Sequence, residues 1–121
     1  SRMQIKGIRH TCLAVKDMEE MVKFYQGLGM TKIVRDRIEQ GEYLSSSLGI
    51  SDAMAHVVYL QAEDGSLLEL LHIYNLRALD YSHISFTVDK LEWAAKSPYE
   101  LVKAKFIQDP EGNWMECVEV C

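Results

Sequence analysis

Four residues of this chain, His10, Glu69, His83 and Glu116, stand at matching places in two stretches that read as copies of each other. The segment HTCLAVKDMEE (10–20) reads onto HISFTVDKLEW (83–93), and EDGSLLELLHI (63–73) reads onto PEGNWMECVEV (110–120). In the first pair a His opens an alternating apolar run and Val follows five residues later. In the second pair a Gly turn precedes a strand that carries Glu four residues on. Each half therefore offers one imidazole and one carboxylate, both from strands. Two imidazoles and two carboxylates meeting at one point suit a divalent cation. Nickel, zinc, cobalt, manganese and iron all accept such donors. Four protein ligands would leave positions open for an oxygen-bearing small-molecule substrate.

Side-chain alternation supports that convergence. Residues two apart in a strand share a face. His10 shares its face with Cys12 and Ala14, and His83 with Ser85 and Thr87, so small neighbours leave room for a ligand. Glu69 falls among Leu67, Leu71 and Ile73, and Glu116 between Trp114 and Val118. An ionised carboxylate on such a face is costly unless a cation compensates it. His56 and His72 have no repeat-related counterparts and read as structural or surface residues. Glu111 and Glu119 read as solvated. Arg35, Arg37 and Lys103 could hold an anionic substrate, with surface solvation the plainer alternative.

The elements that must position these residues follow from periodicity. Residues 5–15 alternate as a strand. Asp17 with Glu20 opens a helix, whose apolar face is Met18, Met21, Val22 and Tyr25, and Gly27 and Gly29 end it. Strands are expected at 31–38, 55–63 and 66–74, with a long loop around GEYLSSSLGISD and a turn at Asp64-Gly65. The second copy should start with a strand at 82–88, then a short helix in LEWAAK stopped at Ser97-Pro98. A hairpin of KAKFIQD and NWMECVEV follows. From His10 to Glu69 is 59 residues and from His83 to Glu116 is 33, so the second copy is 26 shorter. The missing part aligns with the second strand and the long loop, which trims that module to β-α-β-β with a stub at 99–103.

Composition bounds the rest. With 121 residues, 48% apolar and 26% charged, the chain reads as one globular domain over 3–121, of two modules at about 5–75 and 80–121. A net charge of −5 argues against nucleic acid. No apolar run reaches the roughly 20 residues of a membrane-spanning helix. The start, SRMQIK, is too short and polar for a signal peptide, with Ser1 and Arg2 reading as additions ahead of Met3. Cys12, Cys117 and Cys121 have no CxxC spacing and read as reduced, structural thiols of a cytoplasmic protein.

These motifs resemble the vicinal-oxygen-chelate superfamily of glyoxalase I, methylmalonyl-CoA epimerase, extradiol dioxygenases, and fosfomycin and bleomycin resistance proteins. IRHTCLAVKDMEEMVKFYQGLGM, DGSLLELL, SHISFTVDKLE and FIQDPEGNWMEC carry the likeness. The resemblance implies an α+β fold of paired βαβββ modules, a curled mixed sheet around one metal, with the second module shortened here. The ordered set His10, Glu69, His83, Glu116 is similar to the ligands of bacterial-type glyoxalase I, whereas the epimerases commonly carry Gln at the place of Glu69. It implies a metal-dependent isomerase or lyase in which the ion stabilises an enediolate and Glu116 or Glu69 shuttles the proton, with Glu116 preferred as base. Two glutathione-gripping positions of glyoxalase I, an Arg and an Asn, are Ala14 and Ile73 here. The alternatives are a metal-free binding or sequestering protein of the drug-resistance type, an epimerase of a CoA thioester, and a dioxygenase or thiol transferase. A trimmed module leaves a sheet edge to be covered, so a homodimer is expected.

Overall fold

The computed structural model describes residues 3–74 and 82–121. The expected boundary between modules, at 75–80, lies outside the described residues. Eight strands form one mixed sheet: β1 (Ile5–Ala14), β2 (Lys32–Gln40), β3 (Met54–Gln61), β4 (Leu67–Ile73), β5 (His83–Val88), β6 (Ala95–Lys96), β7 (Val102–Gln108) and β8 (Trp114–Val120). Two helices accompany them, α1 (Met18–Gly27) and α2 (Glu42–Leu48). The strand order is β2-β3-β4-β1-β5-β8-β7-β6. It reads the same from both edges once β5 to β8 are matched with β1 to β4. β1 pairs β4 in parallel as β5 pairs β8, and β1 joins the halves by antiparallel pairing with β5. The sheet curls into a half-barrel, the fold expected of paired modules.

The convex side of the first half is closed by α1. Asp17 accepts from the Glu20 backbone N–H at 3.0 Å, satisfying one of the donors a helix start leaves open. Met18, Met21, Val22 and Tyr25 then pack on Val15, Val58, Leu60 and Leu70, of which Leu60 and Leu70 are completely buried. Each such leucine contributes on the order of 2 kcal/mol by leaving water. The hairpins in the two halves match as well. Gly65 at φ +88° and Gly112 at φ +89° take the left-handed turn conformation that favours glycine. Asp64 and Asp109 brace these turns by accepting backbone N–H bonds.

Three expectations are corrected here. The stretch expected as a long loop contains α2, held between Gly41 and Gly49. Its Leu44 and Leu48, one turn apart, bury on the concave face against Cys12, Ala53, Ala55, Val57 and Leu71. A serine run disguised it, because serine competes for backbone bonds in most contexts. Ser47 here returns its hydroxyl to the Tyr43 carbonyl at 2.7 Å.

The short helix expected at LEWAAK does not form; that stretch is irregular and ends in the two-residue β6. Asp89, the intended cap, instead accepts from the Gln4 N–H at 2.7 Å and donates its own N–H to the Gln4 carbonyl. Leu91 donates its N–H to Glu119 at 2.6 Å and buries its side chain with Val88 and Cys117, where a helix would otherwise sit. Six residues cannot recover the cost of nucleating a helix once the cap is taken. The second half thus has lost its helix and most of its second strand, and the remnant strand lies at 95–96 rather than at 99–103.

Candidate metal centre and its cleft

The four central strands, β4-β1-β5-β8, each supply one of the four residues. Cys12 is the cross-strand partner of Glu69 and of His83, while Ser85 is the partner of Glu116 and of His10. The site is therefore two like triplets, His10–Cys12–Glu69 and His83–Ser85–Glu116, facing each other across the β1–β5 seam. All four residues belong to one chain, and the paired registers put them on the concave face. His10 Nε2 lies 3.2 Å from Glu69 Oε1 and 3.5 Å from Glu116 Oε1, and His83 Nε2 lies 3.8 Å from Glu69 Oε1. Donor atoms of His10, His83 and Glu116 lie within 4.8 Å of one another, as do those of Cys12, Glu69 and His83.

This set fits a divalent cation on its own chemistry. His10, Glu69 and His83 are all buried. Nε2 of His10, Oε1 of Glu116 and Oγ of Ser85 are shielded from water yet make no aligned hydrogen bond among the described residues. Buried polar atoms left so are costly unless an ion or another partner meets them. Burial works to lower the pKa of His10, but contact with Glu69 and then the charge of Glu116 raise it above the ordinary imidazole value. Burial works to raise that of Glu69, and contact with His10 and the nearby His83 pull it below the usual carboxylate value. The site is tuned for positive charge.

Aromatic edges hold the imidazoles. Tyr59 meets His10 at 5.0 Å between centroids and 86°, and Phe106 meets His83 at 4.7 Å and 87°. Tyr59 and Phe106 are repeat-equivalent, each opposite the glutamate of its own half. Burial first, then the charges of Glu69 and Glu116, keep the Tyr59 phenol protonated well beyond its ordinary range. Tyr59 can donate a hydrogen bond but cannot serve as a base near neutrality.

The site opens into a cleft of roughly 620 Å³ including its mouth. Its wall carries Arg9, Arg35, Arg37, Glu39, Tyr43, Ser97, Tyr99 and Glu100 in addition to the four central residues. Arg35 and Arg37 thus lie where an anionic substrate could meet them, whereas Lys103 is paired across strands with Glu119 at 3.6 Å. Glu119, expected to be solvated, is held by that pair and by the Leu91 N–H. His56 and His72 are structural as expected: His56 Nε2 lies 2.6 Å from Asp36 Oδ1, and His72 donates from Nδ1 to the Val15 carbonyl at 2.9 Å.

Sequence reading missed Arg9, Tyr59, Cys12, Ser85 and Glu100. Strict alternation places Arg9 opposite His10, but a β-bulge between Ile8 and His10 turns both to the concave side. Cys12 and Ser85 carried a signal, since each stands two residues after its His.

Comparison with known proteins agrees with this architecture. The family model of the Glyoxalase/Bleomycin resistance protein/Dioxygenase superfamily matches residues 7–117. Among curated proteins none matches the sequence significantly. A glyoxalase family protein from Bacillus cereus is similar in structure, with a TM-score of 0.56, 15% identity, and coverage of 97% of this chain and 95% of that one. A variant of Streptomyces coelicolor methylmalonyl-CoA epimerase in complex with 2-nitronate-propionyl-CoA gives 0.61 at 13% identity, covering 98% and 99%. A methylmalonyl-CoA epimerase in complex with methylmalonyl-CoA and NH4+ gives 0.60 at 13%, covering 98% and 96%. At such identities the likeness of structures speaks for the fold. With the paired modules and the match over nearly all of its length, the chain belongs to the Glyoxalase/Bleomycin resistance protein/Dioxygenase superfamily.

Proposed function

We propose that this chain is a metal-dependent isomerase or lyase of the glyoxalase I type, acting on a small α-oxygenated carbonyl compound. The observation that carries the proposal is the gathering of His10, Glu69, His83 and Glu116 in two overlapping donor groups, with Nε2 of His10 and Oε1 of Glu116 shielded from water and making no aligned hydrogen bond among the described residues. These four would hold nickel, zinc, cobalt, manganese or iron. A divalent ion there supplies Lewis-acid stabilisation for negative charge developing on adjacent substrate oxygens.

The protein's own part is proton transfer, orientation and exclusion of water. Glu116 is the preferred base, because its Oε1 makes no aligned hydrogen bond among the described residues and its side chain is the more open of the two carboxylates. It takes the proton from the carbon next to the carbonyl and returns it to the neighbouring carbon. Glu69, in contact with His10, stays in place. Tyr59 and Phe106 fix the imidazole planes, and Leu44, Leu48 and Val57 line the cleft beside them.

Elemental analysis of the purified protein, followed by turnover on methylglyoxal with assorted thiols, tests this. The chain should retain a stoichiometric divalent ion and His10→Ala should lose it. A metal-replete preparation without bound ion, or a His10→Ala protein that binds metal unchanged, would sink the proposal.

A second reading, epimerisation of a CoA thioester, draws on the symmetric placement of Glu69 and Glu116. One carboxylate could take the α-proton from one face while the other returns it to the opposite face. The similar structures of methylmalonyl-CoA epimerase, and Ala14 and Ile73 in place of glutathione grips, lend it support. Washing of solvent deuterium into methylmalonyl-CoA, without turnover of thiol adducts, would select it. The homodimer expected from the sheet edge belongs to the same proposal. The edge of the trimmed half is the two-residue β6 beside β7, and sedimentation at micromolar concentration tests the dimer.

A further inference from the structure

The cleft wall holds a second group of charges that the proton-transfer chemistry does not use. Glu100 reaches Arg9 Nη2 at 3.2 Å with one oxygen and Arg35 Nη1 at 3.1 Å with the other. These partners come from the second half, from β1 and from β2, 91 and 65 residues away in sequence. Arg37 lies alongside, 4.1 Å over the Tyr99 ring and 2.8 Å from Glu39. We propose that Arg9, Arg35 and Arg37 form a carboxylate subsite, filled in the free protein by the chain's own Glu100, which the carboxylate of a bound substrate displaces. The inference deepens the proposed function, resting on the cleft being the substrate site, and names its substrate class: an α-oxygenated carbonyl compound that also bears a carboxylate.

Four features of the structure carry this. Arg9 faces the cleft only because β1 bulges beside His10, so the bulge serves two neighbouring groups at once. Glu100 is presented rather than left dangling, since the Ser97 hydroxyl accepts the backbone N–H of Tyr99 at 3.0 Å and of Glu100 at 3.3 Å. The ion pairs with Glu100 take one nitrogen of each guanidinium, and a guanidinium has five N–H donors in a fork suited to a carboxylate. Finally, side chains of Arg9, Arg35 and Glu100 are about one-third exposed, so their ion pairs are weak enough to exchange.

Distance and charge agree with a compact ligand. Arg35 lies 5.3 Å from the Tyr59 centroid, and the same ring lies 5.0 Å from His10. The Tyr59 ring alone therefore separates Arg35 from His10. Three arginines face four glutamates along the cleft. With a dication held there the cleft carries one positive charge, and two once Glu100 swings out. An anionic substrate restores the balance.

The test uses arginine side-chain NMR on the whole chain, with succinate as the probe and neutral succinamide as its control. Run on chelator-treated protein, it reads the subsite independently of whether the metal proposal holds. Succinate should shift the Nε–Hε resonances of Arg9 and Arg35 saturably, succinamide should not, and Arg35→Met should abolish the response. Glu100→Gln should bind succinate about fivefold tighter, the combined worth of the two partly exposed ion pairs that Glu100 gives up. Equal response to succinamide overturns the subsite. So does a Glu100→Gln protein of unchanged melting temperature that binds succinate no tighter, because Glu100 is then a brace and not an occupant. Inorganic phosphate run in parallel decides the anion, and tighter binding of phosphate than of succinate overturns the carboxylate assignment.

Discussion

Replacing Glu116 by Gln keeps the shape of the side chain and removes its charge, and the structure gives opposite expectations with and without metal. In the metal-free protein Glu116 Oε1 makes no aligned hydrogen bond among the described residues, and the nearest imidazole nitrogen is 3.5 Å away. Losing that charge should change stability by less than about 1 kcal/mol. Under the proposed function the carboxylate becomes one of four ligands when metal binds. Structural zinc sites of four ligands are worth about 10–16 kcal/mol, hence about 2.5–4 kcal/mol per ligand, or about 10²–10³ in affinity. At free metal 1,000-fold above the dissociation constant, the native chain gains about 4 kcal/mol. At the same metal concentration Glu116→Gln keeps about 0.4–1.4 kcal/mol. For a domain of this size the difference is a drop of about 10 °C in the metal-loaded melting temperature. Thermal unfolding of both proteins, each chelated and metal-loaded, reads all four values. An equal drop in the two states, or a native chain that metal does not stabilise, would refute Glu116 as a ligand.

Glu69→Gln should behave differently, because Glu69 is buried 3.2 Å from His10. Its metal-free form should lose about 2–3 kcal/mol in denaturant titration, somewhat less than a fully buried broken pair, since His10 can shed its proton. The metal-free chain should also have a defined pH optimum of stability. His10 has a raised pKa, so its contribution is complete below pH 6.5 and is lost as pH climbs through its folded value. Glu69 has a depressed pKa, so its contribution is complete above pH 4.5 and is lost as pH falls. Melting temperatures should therefore peak between these values. Metal uptake below pH 6.5, where the raised pKa keeps His10 mainly protonated, should expel the His10 proton, which calorimetry in buffers of different ionisation heat detects, and uptake without proton release would contradict the assignment. Leu91→Ala should cost about 2–3 kcal/mol if Leu91 is the plug that stands in for a helix. Asp17→Ala should cost about 1 kcal/mol through its lost cap.

The gathering of the four candidate residues was legible because two independent signals met at them: a repeat that pairs His10 with His83 and Glu69 with Glu116, and strand parity that keeps each pair on one face. The strands and α1 were legible for a similar reason, since periodicity, the Asp17 cap and the Asp-Gly turns agreed. Where a local signal was outbid from elsewhere in the chain, reading failed. Asp89 looks like Asp17 in sequence, yet Gln4 takes its carboxylate and no helix follows. Arg9 was hidden by a bulge, and bulges leave no mark in alternation. α2 was hidden by serines whose hydroxyls are satisfied within and beside the helix, by the Tyr43 carbonyl and the Ala53 N–H. Glu100 depends on partners 65 and 91 residues away, which spacing alone does not bring together.

The placement of the central strands bears on kinetics. β1 and β4 carry His10 and Glu69 within the half that has both helices, while Glu116 sits on β8, the last strand in chain order. Four donors exist as a set only after β8 has zipped along β5. An ion needing all of them has no complete site while β8 is unpaired, and contacts completed after the folding barrier slow escape without hastening arrival. Metal should leave the refolding rate nearly unchanged and lengthen the lifetime of the folded chain.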